Sequence, residues 1–276
     1  MKNTKLTFIG CGNMGCSLIG GLISNGHNPD SINGAEPDRT KSESISKQYG
    51  IRVLNENIEA VHGTDVIVLA IKPQNLLDVV RQISPELIRS KPLLISIAAG
   101  IQISSIQKHI GDNYPVVRVM PNTPALIQTG ASALYASPAV EKDQKILAEE
   151  IMRSVGLAIW LDKEELMDAV TALSGSGPAY FFLVMECMEK AATKLGLSHE
   201  QARILTIETA FGAAKMALES KSDVGLLRQQ VTSPGGTTEA ALNVLIDKGK
   251  IEEVFFKALL AAKKRSEEIA VEFGNT

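Results

Sequence analysis

Cysteine and histidine, which often hold metal ions or form disulfide frameworks, are scarce in this sequence. Its 276 residues include three cysteines and four histidines, and neither group shows metal-ligand spacing. An odd cysteine count without a framework is typical of a reducing compartment, so we expect a cytoplasmic protein that binds no metal. Positive charge is not in excess either, because the formal net charge is −3. We therefore expect no nucleic-acid partner.

Long apolar runs are also missing. No uninterrupted run approaches the roughly 18 residues that suggest a membrane span. The N-terminus leads into a strand pattern rather than into the apolar core of a signal peptide. We therefore expect no membrane association. The remaining composition, 45% apolar and 21% charged residues, is that of an ordinary globular protein with one large or two medium domains.

A glycine-rich turn near the N-terminus is the first motif with chemical meaning. The apolar strand predicted at Leu6–Ile9 is followed by the pattern G-x-G-x-x-G and then by an amphipathic helix. In this setting the first glycine permits a tight turn, the second lets a pyrophosphate approach the backbone, and the third lets the helix pack on the strand. The pattern predicts that a dinucleotide is bound by Gly10, Cys11, Gly12, Asn13, Met14 and Gly15.

Two residues give opposite indications about the dinucleotide. Glu36 ends the second predicted strand, about 20 residues beyond the glycines, where an acidic side chain binds the ribose hydroxyls of NAD and repels the 2′-phosphate of NADP. Arg39 lies close enough in the sequence to meet that phosphate. The choice between NADP and NAD therefore stays open.

Further strands predict a doubly wound, mostly parallel sheet. Apolar runs at residues 65–71, 93–98 and 116–120 alternate with helical patterns, which is typical of a Rossmann-type α/β domain. The first run leads to Lys72, which is interpreted as a catalytic residue, as a cofactor contact or as an exposed charge at the strand end. We expect Pro73 to stop that strand and to frame a loop.

Only helical patterns follow residue 162. We therefore predict a dinucleotide-binding domain at residues 1–162 and an all-α domain at residues 163–276. The helix predicted at residues 179–195 is apolar on nearly all sides, so it needs cover on nearly all sides. The simplest cover is a second copy of the chain, which predicts a homodimer through the helical domain.

A second glycine-rich helix start lies in this helical domain. Ser233, Gly235, Gly236, Thr237 and Thr238 precede or begin an apolar-periodic helix, and the hydroxyl side chains are expected to cap it. Backbone N–H groups at such a start bind small anions, for example a substrate carboxylate. No acid–base histidine or lysine stands beside them. A protonated imine accepts hydride without such a group, so the pattern suggests an imino-acid reductase.

Several motifs together make the chain resemble the pyrroline-5-carboxylate reductases over essentially its full length. They are F-I-G-C-G-N-M-G at residues 8–15, A-I-K-P at 70–73, I-A-A-G at 97–100, M-P-N-T-P at 120–124, L-S-G-S-G-P-A-Y at 173–180 and T-S-P-G-G-T-T at 232–238. The resemblance implies reduction of the cyclic imine 1-pyrroline-5-carboxylate to L-proline with NAD(P)H, the last step of proline biosynthesis. It also implies a helical dimerisation domain, an active site completed near the dimer interface, and assembly of dimers into larger rings, often decamers.

The resemblance assigns roles to individual residues as well. The substrate is held by Gly235, Gly236, Thr237 and Thr238, with the Thr238 hydroxyl near the imine nitrogen as the catalytic group and Glu164 as an acidic residue near the substrate. Cofactor contacts are implied for Asn57, Ala70, Ile71, Lys72, Pro73, Ala98, Ala99 and Gln230. Two positions depart from the family pattern. Many relatives have a small hydroxyl residue where Glu36 stands, and some have asparagine where Gln230 stands.

Two other functions remain as alternatives at this point. A β-hydroxyacid dehydrogenase also joins a Rossmann domain to a helical one, and it would use a lysine such as Lys190 or Lys194. A non-catalytic NAD(P)-sensing protein would keep the first domain, but it would leave the second glycine-rich helix start unexplained.

Overall fold

The structure is a computed structural model that describes residues 3–274. These residues form two units. Unit 1 contains the described residues up to Ser176 and those from Ala261 onward, and unit 2 is Gly177–Leu260. Residues 163–176 fall in unit 1, where Met167 and Asp168 are buried. The domain division after residue 162 marks the end of the strand pattern and stays a prediction. Its outer limits, residues 1–2 and 275–276, lie outside the described residues.

Unit 1 is built on an eight-stranded sheet with the order β3-β2-β1-β4-β5-β6-β7-β8. The strands are β1 Leu6–Ile9, β2 Ile32–Ala35, β3 Arg52–Leu54, β4 Val66–Leu69, β5 Leu93–Ser96, β6 Val116–Met120, β7 Gly130–Ala136 and β8 Gly156–Trp160. All neighbours are parallel except β6 and β7. The strand order reverses between β1 and β4, the switch point at which such sheets bind ligands. The predicted mostly parallel, doubly wound sheet is confirmed.

Helices cover both faces of this sheet. They are α1 Asn13–Ser24, α2 Arg39–Tyr49, α3 Asn57–Ala60, α4 Pro73–Ser90, α5 Ile103–Ile110, α6 Lys142–Arg153 and α7 Met167–Val170. Leu18 of α1 and Ile151 of α6 belong to the core on one face, and Leu76 of α4 and Ile106 of α5 belong to the core on the other. Because both faces are buried, the central strands are apolar throughout, as parallel sheets require.

One local expectation was wrong. Pro73 does not frame a loop. It is the first residue of α4, where its fixed φ suits the helix and its missing N–H costs nothing. The orientation of β7 also escaped prediction. Only a short segment with a 3₁₀ turn at Thr123–Ile127 separates it from β6. A parallel neighbour needs a longer crossover, so β7 runs antiparallel.

Unit 2 is helical throughout, as predicted. Its helices are α8 Gly177–Lys194, α9 His199–Glu219, α10 Val224–Gln230, α11 Thr237–Leu245 and the first part of α12 Lys250–Gly274. In the single chain, Phe181 and Phe182 of α8 are 67% and 64% exposed, and Phe211 of α9 is 63% exposed. Such a concentration of exposed aromatic side chains is typical of a surface that another protein chain covers. Among residues 3–274, no helix is long and apolar enough to cross a membrane.

One buried histidine couples the fold of unit 1 to pH. His27 follows α1 and is only 3% exposed. Its Nε2 lies 3.0 Å from the carbonyl oxygen of Thr4. Because a carbonyl oxygen only accepts hydrogen bonds, Nε2 must carry the hydrogen and donate it. Its Nδ1 is buried and has no hydrogen-bond partner among residues 3–274. Burial lowers the pKa of His27 below its ordinary value of 6.5, so the neutral ring is the form that fits.

We expect the free energy of unfolding to fall as the pH drops below about 6.5, because the unfolded chain then binds a proton that folded His27 resists. A pKa difference of one unit corresponds to about 1.4 kcal/mol. The measurement is urea unfolding of wild type and His27→Gln between about pH 5.5 and pH 7.5. The glutamine amide keeps a donor for Thr4 and does not titrate. If the free energy of unfolding depended on pH in the same way for the wild type and for His27→Gln, the assignment would be contradicted.

Candidate active site

The glycine-rich turn lies at the switch point of the sheet and leaves almost no space around two of its glycines. Gly10 has a φ of +89°, and a Cβ atom there would lie 2.6 Å from the carbonyl oxygen of Ala70. A Cβ on Gly15 would lie 2.4 Å from the carbonyl oxygen of Gly10. A Cβ on Gly12, by contrast, would meet nothing within 4 Å. Gly10 and Gly15 therefore permit close packing, whereas Gly12 faces open space that a ligand can occupy.

The helix that follows this turn offers an anion site. Helix α1 begins at Asn13, and its N-cap residue Gly12 makes no side-chain capping hydrogen bond. The N–H groups of the first helical turn have no partner within the helix and carry partial positive charge. A pyrophosphate beside Gly12 would accept hydrogen bonds from them. Asn13 is exposed and Met14 is half-buried, so both lie at the surface of this site.

A cleft of about 330 Å³ opens at the carboxyl ends of β4, β5 and β6. Four of its residues were predicted to bind the cofactor: Met14, Ala70, Ile71 and Lys72. Six others were not among the predicted cofactor contacts, although Asn122 and Thr123 were expected to offer hydrogen bonds at this edge of the sheet: Ile97, Met120, Pro121, Asn122, Thr123 and Gly175. Most of these residues directly follow β5 and β6. Their position after predicted parallel strands could have identified them, because ligands bind at the carboxyl ends of such strands. The mostly apolar lining suits the flat face of a nicotinamide ring.

The other predicted contacts around this cleft are less accessible. Ala98 is buried and Ala99 is half-buried, and it is Ile97, the residue before them, that lines the cleft. Pro73 is the first residue of α4, and the exposed Lys72 is its N-cap. The cofactor roles of Ala98, Ala99 and Pro73 stay predictions.

The carboxylate of Glu36 is held at the end of β2, where it would face a ribose. It is half-buried and accepts the N–H of Asp38 at 3.2 Å, while the Glu36 carbonyl accepts Asn55 Nδ2 at 2.8 Å. Arg39, the first residue of α2, is exposed, and no ion pair joins it to Glu36 in the described structure. Asn57 is turned toward α4, where its Nδ2 donates to Gln82 Oε1 at 2.8 Å.

The two cysteines of the glycine-rich region are structural. Burial, with the charges of Cys16 and Glu36 as smaller causes, raises the pKa of Cys11 to about 12. Burial and then the charge of Glu36 raise the pKa of Cys16 as well. Both thiols are therefore protonated and weakly nucleophilic near neutral pH. Within residues 3–274, no group of His, Cys, Asp and Glu side chains is arranged to hold a metal ion.

The second glycine-rich helix start is in unit 2 and differs from expectation in one respect. The N-cap of α11 is Gly236, and within residues 3–274 none of the Ser233, Thr237 and Thr238 hydroxyls caps the helix, so the predicted capping by these residues was wrong. Gly235 has a φ of +71°, and a Cβ on Gly236 would lie 2.9 Å from the Ser233 carbonyl oxygen, so the turn is too tight for larger residues. The hydroxyls are therefore left available to a ligand.

The N–H groups of this turn divide into two sets. The N–H of Gly235 donates to Glu239 Oε2 at 2.8 Å, and that of Gly236 donates to the Ser233 carbonyl at 3.0 Å. Thr237 and Thr238 begin the helix, so their N–H groups lack helical acceptors and point outward. A small anion could accept hydrogen bonds from this second set. The contact of Glu239 with the turn was not predicted, because its place in the sequence is that of an ordinary residue in the first turn of a helix.

The remaining predicted residues lie at different places in the chain. Gln230 is the exposed last residue of α10 in unit 2. Glu164 lies in unit 1, where its Oε1 accepts the backbone N–H of Ile103 at 2.8 Å and Arg118 Nη1 at 3.0 Å. Lys190, the base of the dehydrogenase alternative, is exposed on α8 and paired with Glu186. The assignments of individual site residues stay predictions.

The fold and the cofactor cleft together define a class of protein. A glycine-rich helix start at the switch point of a doubly wound sheet, beside an apolar cleft, is the site of a nicotinamide-dinucleotide-dependent oxidoreductase.

Comparison with known proteins identifies the family within that class. Residues 164–269 match the family model "Pyrroline-5-carboxylate reductase dimerisation", and residues 5–100 match "NADP oxidoreductase coenzyme F420-dependent". The pyrroline-5-carboxylate reductase of Pseudomonas aeruginosa is 47% identical over 274 residues, covering 99% of this chain and 100% of the relative. That of Vibrio alginolyticus is 38% identical over 270 residues, covering 98% of each chain.

Solved structures agree with these relatives. The pyrroline-5-carboxylate reductase of Coxiella burnetii has a TM-score of 0.92 at 44% identity, covering 97% of this chain and 99% of the other. The NADP-bound enzyme of Plasmodium falciparum has a TM-score of 0.86 at 32% identity, covering 98% and 99%. The chain belongs to the pyrroline-5-carboxylate reductase family, which confirms the predicted resemblance. It is an oxidoreductase that uses NADP or NAD and carries a dimerisation domain.

The open space at Gly12 makes a specific prediction for the cofactor site. Gly12 has a φ of −76°, which alanine adopts readily, so we expect Gly12→Ala to fold normally. Its methyl group would occupy the space of the pyrophosphate, and we expect the Kd for NADPH and NADH to rise about tenfold or more. Cofactor fluorescence titration and thermal unfolding measure the two effects.

The matched variant is Gly15→Ala, whose methyl group would meet the Gly10 carbonyl oxygen. We expect it to lower the Tm as well as the affinity. A Gly12→Ala protein with unchanged cofactor affinity would show that the pyrophosphate lies elsewhere.

Proposed function

We propose that the chain reduces 1-pyrroline-5-carboxylate to L-proline with NADPH or NADH, the last step of proline biosynthesis. The observation that carries this proposal is 47% identity to a pyrroline-5-carboxylate reductase over nearly the whole of both chains. The apolar cleft in unit 1 and the anion site in unit 2 supply the two kinds of binding surface that the reaction needs.

The glycine-rich turn at Gly10–Gly15 and the cleft beside Ile71 would hold the reduced nicotinamide cofactor, which would supply the hydride that the carbon of the protonated imine accepts. The substrate nitrogen would take the electron pair of the C=N bond and become the ring amine of proline. The lining of Met14, Ile71, Ile97 and Met120 would keep water away from the nicotinamide ring. Since the iminium carbon is already electrophilic, no protein acid needs to protonate a developing alkoxide.

The substrate carboxylate would accept hydrogen bonds from the first-turn N–H groups of α11. The position of Thr237 and Thr238 in the first turn of α11, where N–H groups have no helical acceptor, supports this assignment. Ser233, Gly235 and Gly236 shape the turn, and the half-buried Thr238 would place its hydroxyl near the ring nitrogen. The resemblance to the family implies that Glu164 lies near the substrate as well, but its Oε1 already accepts the Ile103 N–H and Arg118 Nη1.

Assembly and location complete the proposal. The chain would form a homodimer through its helical region, with the active site completed near the interface and dimers joined in a larger ring such as a decamer. The exposed Phe181, Phe182 and Phe211 support an extensive contact between copies. We place the enzyme in the cytoplasm, without nucleic-acid or membrane partners. Its three free cysteines suit a reducing compartment.

Replacement of Thr238 tests the substrate half of the site. We expect Thr238→Ala to lower kcat/KM for 1-pyrroline-5-carboxylate roughly tenfold to a hundredfold, as for a lost hydrogen bond worth about 1.4–2.8 kcal/mol. The Kd for NADPH should stay within about twofold, since the hydroxyl is assigned to the imine. Thr238→Ser keeps the hydroxyl and should retain most of the activity. If cofactor affinity collapsed instead, Thr238 would belong to the cofactor half.

Replacement of Glu36 tests the choice of cofactor. We expect Glu36→Gln to raise kcat/KM with NADPH about tenfold relative to NADH, because the carboxylate charge that repels the 2′-phosphate is gone. Steady-state kinetics with both cofactors give this ratio. Glu43→Gln removes an exposed charge from α2 and serves as the control. An unchanged ratio in Glu36→Gln, or a strong NADPH preference of the wild type, would refute the ribose contact.

A further inference from the structure

Glu164 caps a helix to which it does not belong. It lies in the 3₁₀ turn Glu164–Leu166 that follows β8, and its Oε1 accepts the N–H of Ile103 at 2.8 Å. Ile103 is the first residue of α5, and the N-cap residue of that helix, Gln102, makes no side-chain capping hydrogen bond within residues 3–274. A carboxylate at the positive end of a helix is stabilised by the helix dipole. Glu164 therefore fixes the point at which α5 begins.

A buried arginine holds this carboxylate in place. Arg118 of β6 is only 3% exposed, and its Nη1 donates to Glu164 Oε1 at 3.0 Å. Its Nη2 lies 3.7 Å from Asp168 Oδ1, which accepts the Ser266 hydroxyl at 2.7 Å. A buried guanidinium without such partners would be strongly destabilising, so the groups depend on one another. We call Arg118, Glu164, Asp168 and Ser266 the ion cluster.

The ion cluster frames the connection between β5 and α5, residues 97–102. Gly100 in this connection has a φ of +79°, and a Cβ there would lie 2.6 Å from Ile269 Cγ2 and 3.2 Å from the Ser266 carbonyl oxygen. The part of α12 that carries Ser266 therefore lies directly on Gly100. The connection is held from one side by α12 and at its far end by Glu164. Its first residue, Ile97, lines the cofactor cleft.

We propose that Glu164 is a positioning residue for the nicotinamide cofactor, acting with Arg118 through the β5–α5 connection. It holds the start of α5 and thereby sets how far Ile97, Ala98 and Ala99 stand from the cofactor. The inference rests on the proposed function, since it places the nicotinamide in this cleft. It differs from a direct contact between Glu164 and the imine, and the two roles predict different kinetics.

The test compares three variants of the full-length protein. Glu164→Ala removes both contacts of the carboxylate, whereas Glu164→Gln keeps an acceptor for the Ile103 N–H and loses only the charge. Glu165→Ala is the control, because Glu165 is the exposed next residue of the same turn. The readouts are the Kd for NADPH and NADH without substrate, the KM for 1-pyrroline-5-carboxylate at saturating cofactor, and hydrogen exchange of residues 97–110.

We expect Glu164→Ala to weaken cofactor binding about tenfold, equivalent to about 1.4 kcal/mol. Hydrogen exchange of residues 97–110 should rise, and the KM for the imine should change less than about twofold. Glu164→Gln should recover most of the cofactor affinity, and Glu165→Ala should match the wild type. Because Glu164→Gln removes only charge, it remains informative if Glu164→Ala folds poorly.

A Glu164→Ala or Glu164→Gln protein that binds cofactor normally but has a much higher KM for the imine would overturn the proposal in favour of direct substrate contact. Unchanged cofactor affinity and unchanged exchange in Glu164→Ala would overturn it as well. The binding and exchange measurements need no turnover. If the wild type failed to reduce the imine, the proposed function would fail while the role of Glu164 at the cofactor site would still be decided.

Discussion

The cofactor half of the molecule depends on a close backbone approach between the β1–α1 turn and the end of β4. A side chain on Gly10 would meet the Ala70 carbonyl, and one on Gly15 would meet the Gly10 carbonyl. Without these side chains, α1 can start directly below the point where the strand order reverses. The open position of Gly12 and the cleft beside Ile71 follow from that placement. The binding surface is therefore a consequence of backbone packing, and polar side chains only refine it.

The ion cluster fixes connecting segments that the hydrogen bonds of the sheet do not hold. Replacing a buried ion pair with apolar side chains often leaves stability unchanged or improves it, so stability alone does not explain Arg118. Arg118 instead fixes the positions of the segments that it joins. The guanidinium joins β6 to the turn after β8 and to α7, and Ser266 extends the contact to α12. Apolar groups would fill the same space without setting where α5 begins.

Local features of the fold were predictable from the sequence, and long-range ones were not. The bounds of β1 and β6 agree with prediction, because both strands are largely apolar. The pairing of Arg118 with Glu164 spans 46 residues and has no local signal. Only part of the cofactor cleft was predicted. Its glycine motif is contiguous in the sequence, whereas residues such as Met120 reach the cleft only through the order of the strands in the sheet.

The turn before α11 has only some of its backbone N–H groups available for the substrate carboxylate that is proposed to bind there. Glu239, a carboxylate of the chain itself, already takes the N–H of Gly235, and the Ser233 carbonyl takes that of Gly236. The donors left for a ligand are those of the first helical turn, which converge on one small region. In the proposed complex a single carboxylate would use these donors, whereas a second negative group beside Gly235 would lie close to the Glu239 carboxylate. A monocarboxylate whose ring nitrogen carries positive charge matches this arrangement better than a dianion does.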